Sequence, residues 1–366
     1  CVPFIKLYQS PDSVMKDQFR FIKEHVVEAV EQSKPLKIVG GNSKAFLGRG
    51  VTGTVVNTSP YSGVISYEPT ELYITVRAGT LLSDIKSILT ENGQMLAFDP
   101  PGVTDKTTIG GVVATGLSGS RRPYSGAVRD YILGIRCING LGKDLSFGGQ
   151  VMKNVAGYDL SRLMTGAFGT LGIILEISLK VAPIPEVEIS CCQSMTKEKA
   201  LTKMQRLSSQ AIPLSASCYD GEVLYVRLSG NENSVKATSK KIGLDNEAQG
   251  QTFWDELRDY KSPIFNTDLN VWRISVPTTS KLEVGEESFL IDWGGGLYWL
   301  NSERPAKEIF NLAREAGGSA MLFRGVVQDQ ELFQPLSKGL LSLHKGLKKA
   351  FDPHGILNPG KMYASL

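Results

Sequence analysis

Histidine is nearly absent from this chain: three occur in 366 residues, at His25, His344 and His354. None falls between residues 186 and 330, so that span has no side chain ordinarily poised as a base near neutral pH. Cysteine is sparse and unpatterned. The five, Cys1, Cys137, Cys191, Cys192 and Cys218, are odd in number and include no Cys-x-x-Cys. That argues against a disulfide framework and for a reducing compartment. It also leaves no ligand set for an iron–sulfur cluster or a zinc knuckle, so no metal is expected in this chain. Long apolar runs are missing too. The most apolar, Leu171 to Val181, is broken by Glu176 and Lys180, well short of the roughly 18–20 residues that cross a membrane. The first residues, CVPFIKLYQS, lack the charged-then-apolar order of a signal peptide. Charge of one sign is also lacking. The formal balance is +3 with no basic block of five, which argues against a nucleic-acid partner. A 42% hydrophobic and 21% charged composition is that of a soluble globular protein with room for two domains, and the cytoplasm is the expected compartment.

Glycine, by contrast, is concentrated. Fifteen of the 38 glycines lie between Pro100 and Pro185, six of them in Gly148–Ile174, GGQVMKNVAGYDLSRLMTGAFGTLGII. Glycine loses the most backbone entropy on folding, so such a cluster marks backbone that must turn sharply or admit another group. Two readings follow: a large ligand lying along bare main chain, or a run of tight turns in a strand-rich domain.

The periodicities place elements around that stretch. Val14, Phe19, Ile22, Val26 and Val30 recur at helical spacing over 12–32. A short buried strand, Lys37–Val39, runs into Gly40-Gly41-Asn42-Ser43-Lys44. Paired glycines after a strand can turn their N–H groups inward as an anion nest, with Lys44 adding charge; a plain turn is the alternative. The loop is neither a Walker loop nor a Gly-x-Gly-x-x-Gly fingerprint. Short strands precede Gly79, a helix is expected over 82–91, and Asp99-Pro100-Pro101-Gly102 makes a rigid corner. The tract Thr107–Gly116 is built from small residues and suits close passage of a flat ring or a phosphate, or tight packing on a neighbouring strand. A hairpin turns near Gly140–Lys143, a short helix spans 159–164, and a strand closes over 173–180. Beyond Pro185 the chain alternates helix and strand as an α+β layer, and a helix over 335–351 leads to DPHGILNPGK.

These tracts occur in one order: GGNSK, VRAGT, PPG…TIGG, the hairpin, KNVAGYDLSRLMTGAFGTLGII and DPHGILNPGK. The order resembles the FAD-binding domain of the vanillyl-alcohol-oxidase (PCMH-type) flavoprotein family over about 35–185 and the last thirty residues. GNSKAFLGR, SGSRRPYSGAVRDYILG, FGGQVMKNVAGYDLSRLM and IDWGGGLYWL resemble one branch, the FAD-binding subunits of bacterial glycolate oxidases. The resemblance implies an α+β chain: a two-lobed FAD-binding domain at 1–185, a ferredoxin-like α+β cap at 186–330, and a segment at 331–366 returning to the first domain. It further implies that Gly40, Gly41, Asn42, Ser43 and Lys44 wrap the pyrophosphate. Pro101, Thr108, Gly110, Gly111 and Ala114 would line the path to the flavin. Gly169, Gly172 and Ile173 would approach the adenine end through backbone groups, and Asn358 and Lys361 would return to the cofactor.

Two departures from the family matter. The first loop has no histidine and the glycine tract no cysteine, so the FAD is expected to be noncovalent. The cap lacks the histidines that serve hydroxy-acid-oxidising relatives as a base. Arg122, Arg273 and Arg324 could hold a carboxylate, but structural pairing is the commoner role for arginine, and no catalytic residue is assigned. The resemblance therefore implies an FAD subunit supporting glycolate-to-glyoxylate oxidation. Its partners would be a paralogous catalytic flavoprotein and an iron–sulfur subunit, with the small 2-hydroxy acid bound at the level of the complex. Attachment to the inner face of the cytoplasmic membrane would come only through that complex. A self-sufficient oxidoreductase with a non-histidine base, and a degenerate flavin-fold scaffold, are the alternatives.

Overall fold

The strand Ile173–Lys180, IILEISLK, is buried along most of its length on both faces, as a central strand must be. In this computed structural model, which describes residues 12–149, 159–247, 249–327 and 331–366, it is the middle of a five-stranded antiparallel sheet. The order is Val64–Glu68, Tyr73–Arg77, Ile173–Lys180, Ile132–Ile138, Asp144–Gly148. A register shift opposite Arg136 and Cys137 makes Leu175 an extra residue, and this bulge flips the alternation of faces. Ile173 and Leu175 therefore pack with Ile22, Val26 and Ala29 of the helix Asp12–Gln32, while Ile174, Ile177 and Leu179 face the other core. That second core takes Leu82, Ile85 and Leu89 from the helix Leu82–Glu91. The start of the tract KNVAGYDLSRLMTGAFGTLGII, as far as Tyr158, lies outside the described residues.

The first strand, Leu36–Val39, pairs in parallel with Thr54–Asn57. The far end of the chain lies against the same strand. Leu36 N donates to Ile356 O at 2.7 Å and Asn358 N to Leu36 O at 3.1 Å. A helix, Lys338–Phe351, precedes this return.

Residues 187–324 form an eight-stranded antiparallel sheet. Its order is Asp245–Asn246, Val187–Ser194, Val223–Gly230, Leu214–Tyr219, Phe289–Asp292, Leu297–Asn301, Val271–Ser275, Ser319–Arg324. Helices Lys197–Ser208, Glu232–Lys241 and Ala306–Glu315 contribute Ala200, Met204, Val235, Ile309 and Phe310 to a core with Trp272 and Tyr298. A second cluster holds Trp254, Tyr260, Phe265, Trp299 and Phe323, and into it insert Leu47 and Leu117 from the glycine-rich half. Trp254 belongs to a helix, Gly250–Arg258, that the sequence concealed: its window opens on glycine and has no capping residue. No described helix is long and apolar enough to cross a membrane.

Candidate cofactor site

The loop after Val39 opens one wall of a crevice with about 1030 Å³ of unfilled space, its mouth included. Gly40, Gly41, Asn42, Ser43 and Lys44 line it, joined by Thr108, Gly110, Gly111, Ala114, Gly169, Gly172, Asn358 and Lys361. Chain segments from three distant regions meet there because hydrogen bonds tie them. Asn358 accepts from Ile38 N at 2.8 Å and donates to Phe168 O at 2.7 Å, so one side chain joins the first strand, the glycine tract and the carboxyl terminus. Thr107 Oγ1 donates to Ser43 Oγ at 3.0 Å. Thr108 caps the helix Ile109–Thr115, accepting from Gly111 N. Space on the far side of the loop is exhausted: a Cβ on Gly41 would lie 1.4 Å from the Lys106 carbonyl oxygen.

Lys44 is the anomaly of this wall. It is 8% exposed, and its Nζ has no hydrogen-bond partner among the described residues. Burial pushes its pKa down to about 8, opposed by the more distant Asp259 carboxylate. An unpaired buried ammonium is costly, so the crevice is built for a negatively charged or electron-rich occupant. Lys361 also lines it, its Nζ donating to Arg49 O at 3.1 Å, and its pKa is lowered by burial and then by Lys37.

Where the eight-stranded sheet meets the glycine-rich half, the seam is packed with the protein's own groups. Asp259 accepts from Gly102 N at 2.7 Å and pairs with Arg258 at 2.7 Å. Arg227, 2% exposed, lies 3.8 Å from both Asp99 and Glu188, and Glu188 also pairs with Arg121. Trp293 donates from Nε1 to Gly119 O at 3.1 Å, with the Arg122 and Arg273 guanidiniums 4.2 and 4.8 Å from its ring. Burial lowers the pKa of both arginines, that of Arg273 to about 10. Asp292, 3% exposed, accepts from Ser120 Oγ at 2.8 Å and Trp293 N at 2.7 Å, and burial raises its pKa to about 7.

Comparison with known proteins decides the family. Residues 21–148 match the FAD binding domain and residues 303–362 the C-terminal domain of FAD linked oxidases. The chain is 45% identical to the glycolate oxidase subunit GlcE of Escherichia coli (strain K12), over 96% of its own length and 99% of the relative's. This chain belongs to the GlcE family of FAD-linked oxidases. It is 25% identical to the glycolate oxidase subunit GlcD of Bacillus subtilis (strain 168), over 98% of its own length and 90% of that protein's. The solved structure of alkyldihydroxyacetonephosphate synthase shares the fold, with a TM-score of 0.66 at 18% identity, covering 93% of this chain and 75% of that one. The architecture is thus the PCMH-type FAD-binding fold, the class is FAD-dependent oxidoreductase, and FAD is the family's cofactor.

The residues present fit that cofactor. An unpartnered ammonium and a loop of small residues suit a dinucleotide, which brings negative phosphates and a flat ring. Two residues expected at the site, Pro101 and Ile173, are not among those lining the crevice. Pro101 is buried and does not line the crevice. The Ile173 side chain, expected to leave only its backbone at the site, is fully buried against Ile22 and Val26, and the side chain of Ile174 lines the crevice. Gly110 serves both readings of its tract: it lines the crevice, and its Cβ would lie 2.8 Å from Ala78. Val39, Thr58, Ala78, Thr115 and Phe168 also line it. Phe168, at φ +53°, carries no signal in the sequence, whereas Val39 and Thr58 follow from the parallel pairing of the first two strands. Arg324 donates to Phe265 O at 2.8 Å and covers Phe46, a structural role.

Proposed function

We propose that this chain is the FAD-binding subunit of a multi-subunit 2-hydroxy-acid oxidase of the glycolate type. It holds FAD and passes electrons, while a paralogous flavoprotein subunit oxidises glycolate to glyoxylate and an iron–sulfur subunit takes the electrons onward. Its likeness to both GlcE and GlcD supports membership of such an assembly. The observation that carries the division of labour is the seam. A substrate reaching the flavin from the cap side would have to displace the Asp259–Gly102 and Trp293–Gly119 contacts. The cap around them contains no histidine.

In this reading the backbone of Gly40–Ser43 receives the diphosphate, and Thr108, Gly110, Gly111 and Ala114 flank the path to the ring. Gly169, Gly172 and Asn358 close the adenine end. The domain division is 1–185 for FAD, 186–330 for the cap and 331–366 for the return. Bound FAD supplies a two-electron acceptor; the chain's own residues position it and exclude water from one side. The protein works in the cytoplasm, at the inner face of the membrane through its partners.

A self-sufficient enzyme would need a base near the ring. Asp292 is the seam group tuned nearest to neutrality, yet its oxygens are engaged by Ser120 and the Trp293 N–H, which leaves it poorly placed to accept a substrate proton. Acid precipitation tests the cofactor reading. The yellow colour should pass into the supernatant, with FAD equal to the protein in amount. Colour kept in the pellet would show a covalent link, and protein that takes up no added FAD would favour the scaffold alternative.

A further inference from the structure

We propose that loading of FAD takes up a proton at Lys44. In mild alkali the empty crevice lets this side chain go neutral, and the negative charge of the cofactor restores its ammonium. The inference rests on the reading that the crevice holds FAD, and it adds how the loading of that site depends on pH. Three lysines, Lys37, Lys44 and Lys361, line the crevice, and among the described residues no carboxylate does. Lys37 is partly exposed, and Lys361 donates to Arg49 O at 3.1 Å. Lys44 alone of the three is 8% exposed with an Nζ that bonds to nothing among the described residues.

The elements packed around Lys44 hold little that keeps it charged. Asp259 acts on it from the cap, but that carboxylate already accepts from Gly102 N and from Arg258, each at 2.7 Å. Asp105 and Lys106, on the segment behind the loop, are exposed. The helix Ile109–Thr115 carries no charged side chain. Arg324, over the Phe46 ring two residues beyond Lys44, donates to Phe265 O. An ammonium stripped of water and left unpaired favours its neutral form. Asp259 offsets this only in part, so the Lys44 pKa in the empty crevice falls to about 8.

A bound dinucleotide reverses that balance. Its phosphates bring negative charge into a crevice whose charged lining, among the described residues, is all lysine, and opposite charge favours the protonated form. The Lys44 pKa is therefore higher in the loaded protein than in the empty one. Affinity is full below the empty-state value and falls as the pH rises through it. The fall reaches up to about tenfold per pH unit until the loaded protein also gives up the proton. Between pH 7 and pH 9 the dissociation constant of FAD should rise about tenfold. Binding should take up about one proton per FAD at pH 9 and almost none at pH 6.5.

Titration calorimetry of the flavin-free full chain with FAD counts those protons, because the heat then varies with the ionisation enthalpy of the buffer. Lys44→Arg keeps a cation that does not titrate in this range, so it should bind with an affinity that is flat in pH and without proton uptake. Lys44→Met should bind more weakly, equally at both pH values, and again without uptake. Lys361→Met should keep the uptake. Where Lys44→Met binds too weakly for calorimetry, the contrast between the unmodified protein and Lys44→Arg decides. No uptake by the unmodified protein at pH 9 would overturn the proposal while leaving the crevice as the FAD site. So would uptake that persists in Lys44→Met or Lys44→Arg, or that disappears in Lys361→Met. Failure of the unmodified protein to bind FAD at pH 6.5 would overturn the underlying reading instead.

Discussion

Gly41→Ala should yield a folded protein that purifies nearly colourless. The added methyl would stand 1.4 Å from the Lys106 carbonyl oxygen, and a backbone atom cannot swing away as the end of a side chain can. The loop or the Lys106 segment must move, and forcing atoms into packed space costs about 1–3 kcal/mol. Drawn from cofactor affinity, that is roughly a tenfold to hundredfold weakening. Flavin content at fixed added FAD should drop accordingly while far-ultraviolet circular dichroism is unchanged. Gly346→Ala, on an exposed helix face where a Cβ meets nothing within 4 Å, should keep full colour. A yellow Gly41→Ala protein with wild-type affinity would mean that the loop does not touch the cofactor.

Asn358→Ala should be the most damaging single change in the carboxyl-terminal return. Asn358 is 5% exposed, sits at φ +41°, and is the link between Ile38 N and Phe168 O. Removing the amide leaves a half-buried donor and a half-buried acceptor without partners, at up to about 1–3 kcal/mol each. Alanine also tolerates the left-handed backbone less well than asparagine does. A loss of about 2–5 kcal/mol in unfolding free energy is expected from denaturant titration, together with loss of bound flavin. Asn358→Asp separates the two bonds: it can still accept from Ile38 N, but its second oxygen faces the Phe168 carbonyl. It should retain part of the stability. Wild-type stability in Asn358→Ala would mean that the return segment is held by its backbone bonds alone.

Much of this was legible in the residues, and the reasons differ by element. The helices Asp12–Gln32 and Lys197–Ser208 and the strand Ile173–Lys180 follow from apolar spacing, because one face or two must be buried. The Gly-Gly loop was visible as a strand ending in residues without side-chain bulk. What stayed hidden depends on long-range geometry. Which of the Ile173 and Ile174 side chains faces the crevice is set by a bulge that only the pairing with Arg136 and Cys137 defines. Lys44 was legible as a charge added to the Gly-Gly loop; its burial without a partner among the described residues emerges only in the folded chain. The packed seam was equally unreadable, since Asp259, Arg227 and Asp292 come from separate cap elements and meet Gly102, Asp99 and Ser120 only in the folded chain.

The central claim is that this chain carries FAD without itself oxidising the 2-hydroxy acid. Anaerobic mixing of the purified, flavin-loaded chain with glycolate, followed by its absorbance in the flavin band, tests it most directly. The account predicts that the isolated chain keeps its oxidised spectrum, and that the same flavin is bleached when the other subunits are present. Bleaching of the isolated chain by glycolate at a rate matching the assembled enzyme would contradict it.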